Sequence, residues 1–241
     1  AFWPGPLTLV LPRRRERVPV EVTGGLDTVG LRVPDQPLAL RLLRAFGRGV
    51  AAPSANRFGN VSPTTAADVR ADLGADVDVI LDGGRCAVGV ESTIVDCSGD
   101  GLAILRLGGL PREQVEEIAG SPVPVRDDGT ARAPGTLRSH YAPNAKVALV
   151  AAPEVAALAT ELLCEGKRVG VLAPSDIDAL PAALVVLEPP GDVAEYARVL
   201  YSRLREADRQ GLDVLLVVAP PEKGIGAAVT DRLRRAAGAA P

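Results

Sequence analysis

The sequence contains no methionine, one histidine (His140) and three lysines, Lys146, Lys167 and Lys223. A single histidine excludes a multi-histidine metal centre and narrows the acid–base chemistry available. The three cysteines, Cys86, Cys97 and Cys164, lack metal-type spacing. Their odd number suits a reducing compartment better than a disulfide framework. No apolar run approaches the roughly 18 residues of a membrane helix, and no secretory pattern is visible. A cytoplasmic location without membrane contact is therefore expected. Aromatic residues are scarce at 3% and the net charge is −3. Strong direct nucleic-acid binding is not expected, because it calls for a basic face and exposed rings. The one dense basic cluster is Arg13, Arg14, Arg15 and Arg17.

What is present is the balance of an ordinary globular protein, 241 residues with 47% apolar and 24% charged. Arginine carries most of the positive charge, and alanine, glycine and proline abound, a bias expected of a GC-rich genome. Ala1-Phe2-Trp3-Pro4 shows neither a helix cap nor a strand start. With no initiator methionine, a fragment is expected.

The chain divides by pattern into three parts. In residues 1–120, strands are expected at Leu7–Leu11, Thr28–Val33, Val77–Leu81, Ser92–Cys97 and Leu102–Leu107, the last two forming a hairpin. Helices are expected at Leu38–Phe46, Ala66–Leu73 and Pro111–Ile118. Paired strands among helices imply an α+β domain with a mixed sheet. Residues 121–145 form a proline- and glycine-rich linker without hydrophobic period. From 146 to 241 strands and helices alternate: Val147–Val150, Glu154–Glu165, Val169–Ala173, Leu184–Leu187, Val193–Ala207, Leu212–Val218 and Ala227–Ala237. That alternation predicts a small Rossmann-like parallel α/β domain.

Several residues stand out chemically. Ala51-Ala52-Pro53-Ser54-Ala55-Asn56, then Ser62-Pro63-Thr64, offers small residues, neutral donors and helix-start amides suited to phosphate oxygens. It also reads as a strand end, a turn and a helix cap. Neither GxxxxGK[ST] nor GxGxxG accompanies it. Arg32 and Arg106 sit within apolar strand patterns, where a guanidinium needs a partner. That partner is either a substrate anion held in bidentate fashion or a structural acid. Ser92, in Glu91-Ser92-Thr93, either meets a polar ligand or caps a strand end. Pro134-Gly135…Ser139-His140-Tyr141-Ala142-Pro143 either docks the linker or closes a site as a lid. Gly224-Ile225-Gly226 reads as a helix-start turn, lacking the rest of a dinucleotide loop.

Taken together, Pro4–Leu11, Val29–Pro34, Ala52–Asn56, Ser62-Pro63-Thr64, Glu91–Asp96, Leu105–Gly108 and the Ser139-His140-Tyr141-Ala142-Pro143 strap resemble the Sua5 branch of the YrdC/Sua5 family, the threonylcarbamoyl-AMP synthases. The resemblance implies a twisted mixed-sheet YrdC-like domain, a linker and a Rossmann-like domain. It implies a nucleotidyltransferase that makes threonylcarbamoyl-AMP and pyrophosphate from L-threonine, bicarbonate and ATP, with Mg²⁺ accompanying ATP. A tRNA threonylcarbamoyl-transferase partner would use the product for t6A modification. It places Thr28, Ser54, Ser62, Arg106 and Tyr141 around ATP, and Arg32, Ala52 and Ser92 around threonine. It names no side-chain nucleophile and no protein metal ligand. The family's leading Lys-x-Arg segment has no match here, so an N-terminally truncated chain with weak or absent ATP binding is expected. The competing readings are a non-catalytic RNA-binding YrdC-like module and a carbamoyl-transfer relative; zinc-finger regions typical of the latter are lacking.

Overall fold

In the computed structural model, residues 1–57, 59–126, 142–174 and 177–238 are described. They form two compact units. One comprises Ala1–Ser54, Val79–Gly84 and the stretch from Glu91; the other comprises Ala55–Asp78, Arg85–Val90 and the C-terminal stretch. The units therefore cut across the expected order of residues 1–120, 121–145 and 146–241. Residues 55–78 cluster with the C-terminal elements rather than with the strands that flank them in sequence.

The first unit is built on β1 (Leu7–Pro12), β2 (Thr28–Leu31), β3 (Thr93–Asp96) and β4 (Ala103–Arg106), in the order β2-β1-β3-β4. β1 pairs antiparallel with β2 and parallel with β3, and β3 pairs antiparallel with β4. The sheet is mixed, as the strand pattern predicts. One face packs Leu7, Val95 and Ile104 against Leu110, Val115 and Val123. Val115 belongs to α3 (Arg112–Ala119), which starts after Pro111 and ends at left-handed Gly120. The isolated parallel bridge of Val125 to Ile104 extends this sheet by one residue. α1 (Pro37–Phe46) takes its N-cap from the Gln36 side chain and stops at left-handed Gly47.

The expected strand at Val77–Leu81 is not formed. Val79 is 74% exposed and Leu81 53% exposed, and no strand among the described residues pairs with them. An apolar run becomes a strand only where a neighbour accepts its ladder hydrogen bonds.

The second unit carries α2 (Ala66–Leu73) and the C-terminal elements. These are β5 (Lys146–Leu149), α4 (Val155–Cys164), β6 (Val169–Leu172), β7 (Val185–Val186), α5 (Val193–Arg209), β8 (Val214–Val217) and α6 (Gly226–Ala236). All four strands are parallel, in the order β5-β8-β6-β7. β6 and β8 are buried throughout, which explains their uninterrupted Val, Leu and Gly composition; strands covered on both faces need no polar alternation. Val155 and Ala159 of α4 pack against Val169, Val171, Val214 and Leu216. α5 packs on α6, burying Tyr196, Leu200 and Leu204. Gly226 opens α6, with the Pro221 carbonyl where a Cβ would stand, so the Gly-Ile-Gly segment is a helix-start turn. No helix among the described residues is long and apolar enough to cross a membrane.

Candidate functional site

Strand register sorts the first unit's side chains into a core face and an open face, the latter exposed at Gly30 of β2 and closed over Ile94, Ser92 and Arg106. Leu9 pairs with Leu31 and with Val95, placing Leu9 and Val95 on the core side. By alternation Thr8, Val10, Thr28 and Gly30 lie on the opposite side, with Ser92, Ile94 and Asp96. Ile104 and Arg106 are two residues apart on β4 and in a regular strand would share a face. A register shift at Ile94/Val95 separates them: Ile104 stays opposite Val95 in the core, while Arg106 moves opposite Ile94. The bulge therefore turns an arginine onto the open face beside Ser92.

Arg106 is only 9% exposed. Its Nε and Nη2 donate to the Ser92 carbonyl at 3.1 and 2.8 Å, and Nη2 donates to Ser92 Oγ at 3.2 Å. Ser92 Oγ also shares a hydrogen bond of 2.8 Å with Thr8 Oγ1. Thr8 of β1, Ser92 just before β3 and Arg106 of β4 thus form a polar chain. From the core side, Thr93 Oγ1 donates to the Leu110 carbonyl at 2.6 Å and accepts from the Leu110 N–H at 3.1 Å. Gly108 lies so close that an added Cβ would stand 2.4 Å from the Glu91 carbonyl oxygen. Residues 91–93 are consequently held from both faces, and Ser92 occupies a fixed position.

Arg32 departs from expectation. β2 ends at Leu31, and Arg32 is exposed beyond it rather than enclosed in an apolar strand. Among the described residues it has no ion-pair partner, so the structural salt bridge considered for it is absent there. Extending the β1–β2 register by one residue puts it opposite Thr8, on the open face. Thr28 is half-buried at the far end of β2, while Ala52 and Ser54 lie exposed in the irregular segment after α1. Two arginines of the basic cluster are ion-paired: Arg13 and Arg15 reach Asp27 at 3.4 and 3.0 Å, with the Arg13 side chain 8% exposed.

Ser62 belongs to the second unit and is buried. The helix that follows is capped by its own sequence. Thr65 Oγ1 accepts from the Asp68 N–H, and Asp68 Oδ2 accepts from the Thr64 and Thr65 N–H groups at 3.0 Å each. The amides of Thr64, Thr65 and Asp68, which the sequence suggested for phosphate oxygens, are therefore already engaged, two of them by a carboxylate. Burial pushes the Asp68 carboxyl up, but donation from the Thr64 N–H and the Thr65 and Thr64 side chains, with the charge of Arg205, outweighs it and holds Asp68 below its ordinary value. Beneath the same loop, Arg205 of α5 donates to the Val61 and Ser62 carbonyls and to both carboxylate oxygens of Asp72.

Tyr141 and His140 lie outside the described residues. Thr8 and Arg205 are contributions that reading the residues in sequence missed. Thr8 is one hydroxyl in an apolar run; only its pairing across to Ser92 reveals it.

Comparison with known proteins adds the following. A family model described as "Telomere recombination", covering the Sua5, YciO and YrdC proteins, matches residues 1–108, and one described as "Threonylcarbamoyl-AMP synthase, C-terminal domain" matches residues 110–238. The threonylcarbamoyl-AMP synthase of Pyrococcus abyssi is 43% identical, with 98% of this chain and 72% of that protein aligned. The Bacillus subtilis synthase is 40% identical, with 98% and 71% aligned. The crystal structure of P. abyssi Sua5 complexed with L-threonine superposes with a TM-score of 0.89 at 42% identity, covering 98% of this chain and 72% of that one.

Proposed function

We propose a function from one premise: the chain belongs to the Sua5 family of threonylcarbamoyl-AMP synthases. It is a nucleotidyltransferase that forms threonylcarbamoyl-AMP for the t6A modification of tRNA. The observation that carries this is 43% identity over 98% of the chain to a synthase, and L-threonine is the substrate that the P. abyssi complex supports.

The chemistry proposed for the site follows. The threonine amine takes up bicarbonate to give a carbamate with loss of water. A carbamate oxygen then attacks the α-phosphorus of ATP, the bond to the β-phosphate breaks, and pyrophosphate leaves. No side-chain nucleophile is needed; positioning and charge stabilisation suffice. Arg32 is exposed on the open side of the sheet, able to pair with the threonine carboxylate. Ser92, pinned by Thr8 and Arg106, offers a hydroxyl of fixed position to the amino acid, and the backbone at Ala52 completes that group of contacts. Thr28, Ser54, Ser62, Arg106 and Tyr141 are assigned to ATP. Tyr141, on the proline-rich strap, would cover the nucleotide and help keep water from the labile carbamate. Mg²⁺ would arrive with ATP. Phosphate oxygens of ATP and water would supply most of its ligands. The product would pass to a tRNA threonylcarbamoyl-transferase in the cytoplasm.

A non-catalytic RNA-binding role draws less support from the one basic cluster, since two of its four arginines, Arg13 and Arg15, are paired with Asp27. The test is pyrophosphate release by the purified gene product supplied with ATP. Release that requires both threonine and bicarbonate is expected; release unchanged when threonine is omitted refutes the proposal.

A further inference from the structure

The C-terminal α/β part of the chain reaches under a loop that belongs, by family match, to the N-terminal part. Residues 59–73 fall within the match spanning 1–108, while α5 falls within the match spanning 110–238. Yet both lie in one compact unit, and the contacts that join them are polar and specific. Arg205 Nη1 and Nη2 meet Asp72 Oδ1 and Oδ2 at 2.9 and 2.5 Å, a bidentate pair with side chains only 14% and 11% exposed. The same guanidinium donates through Nη2 to the Val61 carbonyl and through Nε to the Ser62 carbonyl at 3.5 Å. One turn later, Asp208 Oδ1 accepts from the Ala145 N–H at 3.0 Å and Oδ2 from Asn144 Nδ2 at 3.3 Å. Ala142, near the end of the strap, donates its N–H to the Gly59 carbonyl at 3.2 Å.

A planar fork of five donors can satisfy both oxygens of a carboxylate and two carbonyls at once, which the three donors of a lysine cannot. Arg205 therefore grips the segment 61–73 at both ends, at Val61 and Ser62 before α2 and at Asp72 in its last turn. We propose that Arg205 is a positioning residue for the nucleotide: it sets the placement of Ser62, so that the C-terminal α/β part takes part in ATP binding. Asp208 anchors the strap's exit to the same helix turn. The inference rests on the assignment of Ser62 to ATP and deepens it.

The test measures amide hydrogen exchange over residues 59–65, and ATP and threonine binding by calorimetry, in the purified gene product and its variants. In Arg205→Gln, exchange over 59–65 should accelerate and the ATP Kd should rise about tenfold, within the range by which a residue that does not touch the ligand alters its affinity through packed contacts, while the threonine Kd stays within about twofold. Arg205→Lys keeps the charge without the fork and should fall between; it serves if the glutamine variant does not fold. Asp72→Asn should weaken ATP in the same direction. Equal weakening of ATP and threonine, or faster exchange with an unchanged ATP Kd, overturns the proposal. Ser62→Ala separates the two layers. If it weakens ATP while Arg205→Gln does not, the positioning role fails and the assignment of Ser62 stands. If Arg205→Gln weakens ATP while Ser62→Ala does not, the assignment of Ser62 fails, and the proposal that Arg205 acts by placing Ser62 falls with it.

Discussion

Removing the Ser92 hydroxyl tests the join between fold and function most sharply. Ser92→Ala deletes a neutral hydrogen bond to Thr8 and one from the Arg106 guanidinium, and leaves Arg106 with its two bonds to the Ser92 carbonyl. The neutral bond contributes about 1 kcal/mol and the charged one about 1.5–3 kcal/mol. Arg106 keeps its main anchor, so the net loss should fall near 2 kcal/mol. Thr8→Val removes only the neutral bond and should cost about 1 kcal/mol. In the double variant the shared bond is lost once, so the combined cost should be about 1 kcal/mol smaller than the sum. Urea denaturation of the four proteins gives the cycle, and threonine titration should show weaker binding in both Ser92 variants. Strictly additive costs would refute the polar chain. An unchanged threonine affinity would remove Ser92 from the substrate site.

Other substitutions probe separate parts of the account. Arg32→Ala should leave the unfolding free energy from urea denaturation within about 0.5 kcal/mol of the parent, as for an exposed residue away from structural contacts, while weakening threonine more than ATP; equal effects on both ligands count against a carboxylate clamp. Gly108→Ala drives a Cβ to 2.4–2.5 Å from backbone atoms of Glu91, Ser92 and Thr93; a loss of about 3 kcal/mol or failure to fold is expected, and a parent-like melting temperature contradicts the packing. Asp68 has its carboxyl held low in the folded state, so its contribution is present above the ordinary value of 3.8 and fades as pH falls through the folded-state value. The stability gap between the parent and Asp68→Asn should therefore be constant near neutrality and close below that ordinary value; a gap independent of pH rules out the ionised cap.

The features legible in sequence are those set locally. α2 begins after Thr65 because the threonine and the aspartate three residues on form a capping box, and this much reads directly from the spacing. The buried strands β6 and β8 follow from unbroken apolar runs. Val77–Leu81 is also largely apolar, though interrupted by Asp78, and it differs further in having no partner strand alongside among the described residues, which periodicity does not record. The β4 bulge is equally invisible: Ile104 and Arg106 have the spacing of one face, and only the shift against Ile94 and Val95 sends them to opposite faces. Of the site, the arginines and Ser92 announce themselves as polar groups in apolar surroundings. Thr8 pairs with a residue 84 positions away and Arg205 with one 133 positions away, so neither carries a local signal. The small residues around Ser62 suggested open helix-start amides, yet the carboxylate of Asp68 already takes two of them.

The most direct measurement supplies the purified gene product with ATP, threonine and carbon-13 bicarbonate, then analyses the nucleotide product by mass spectrometry. An adenylate carrying threonine and the labelled carbon in its carbamoyl group is the predicted result. An adenylate without the label, or labelled product formed equally well when threonine is replaced by another amino acid, would contradict it.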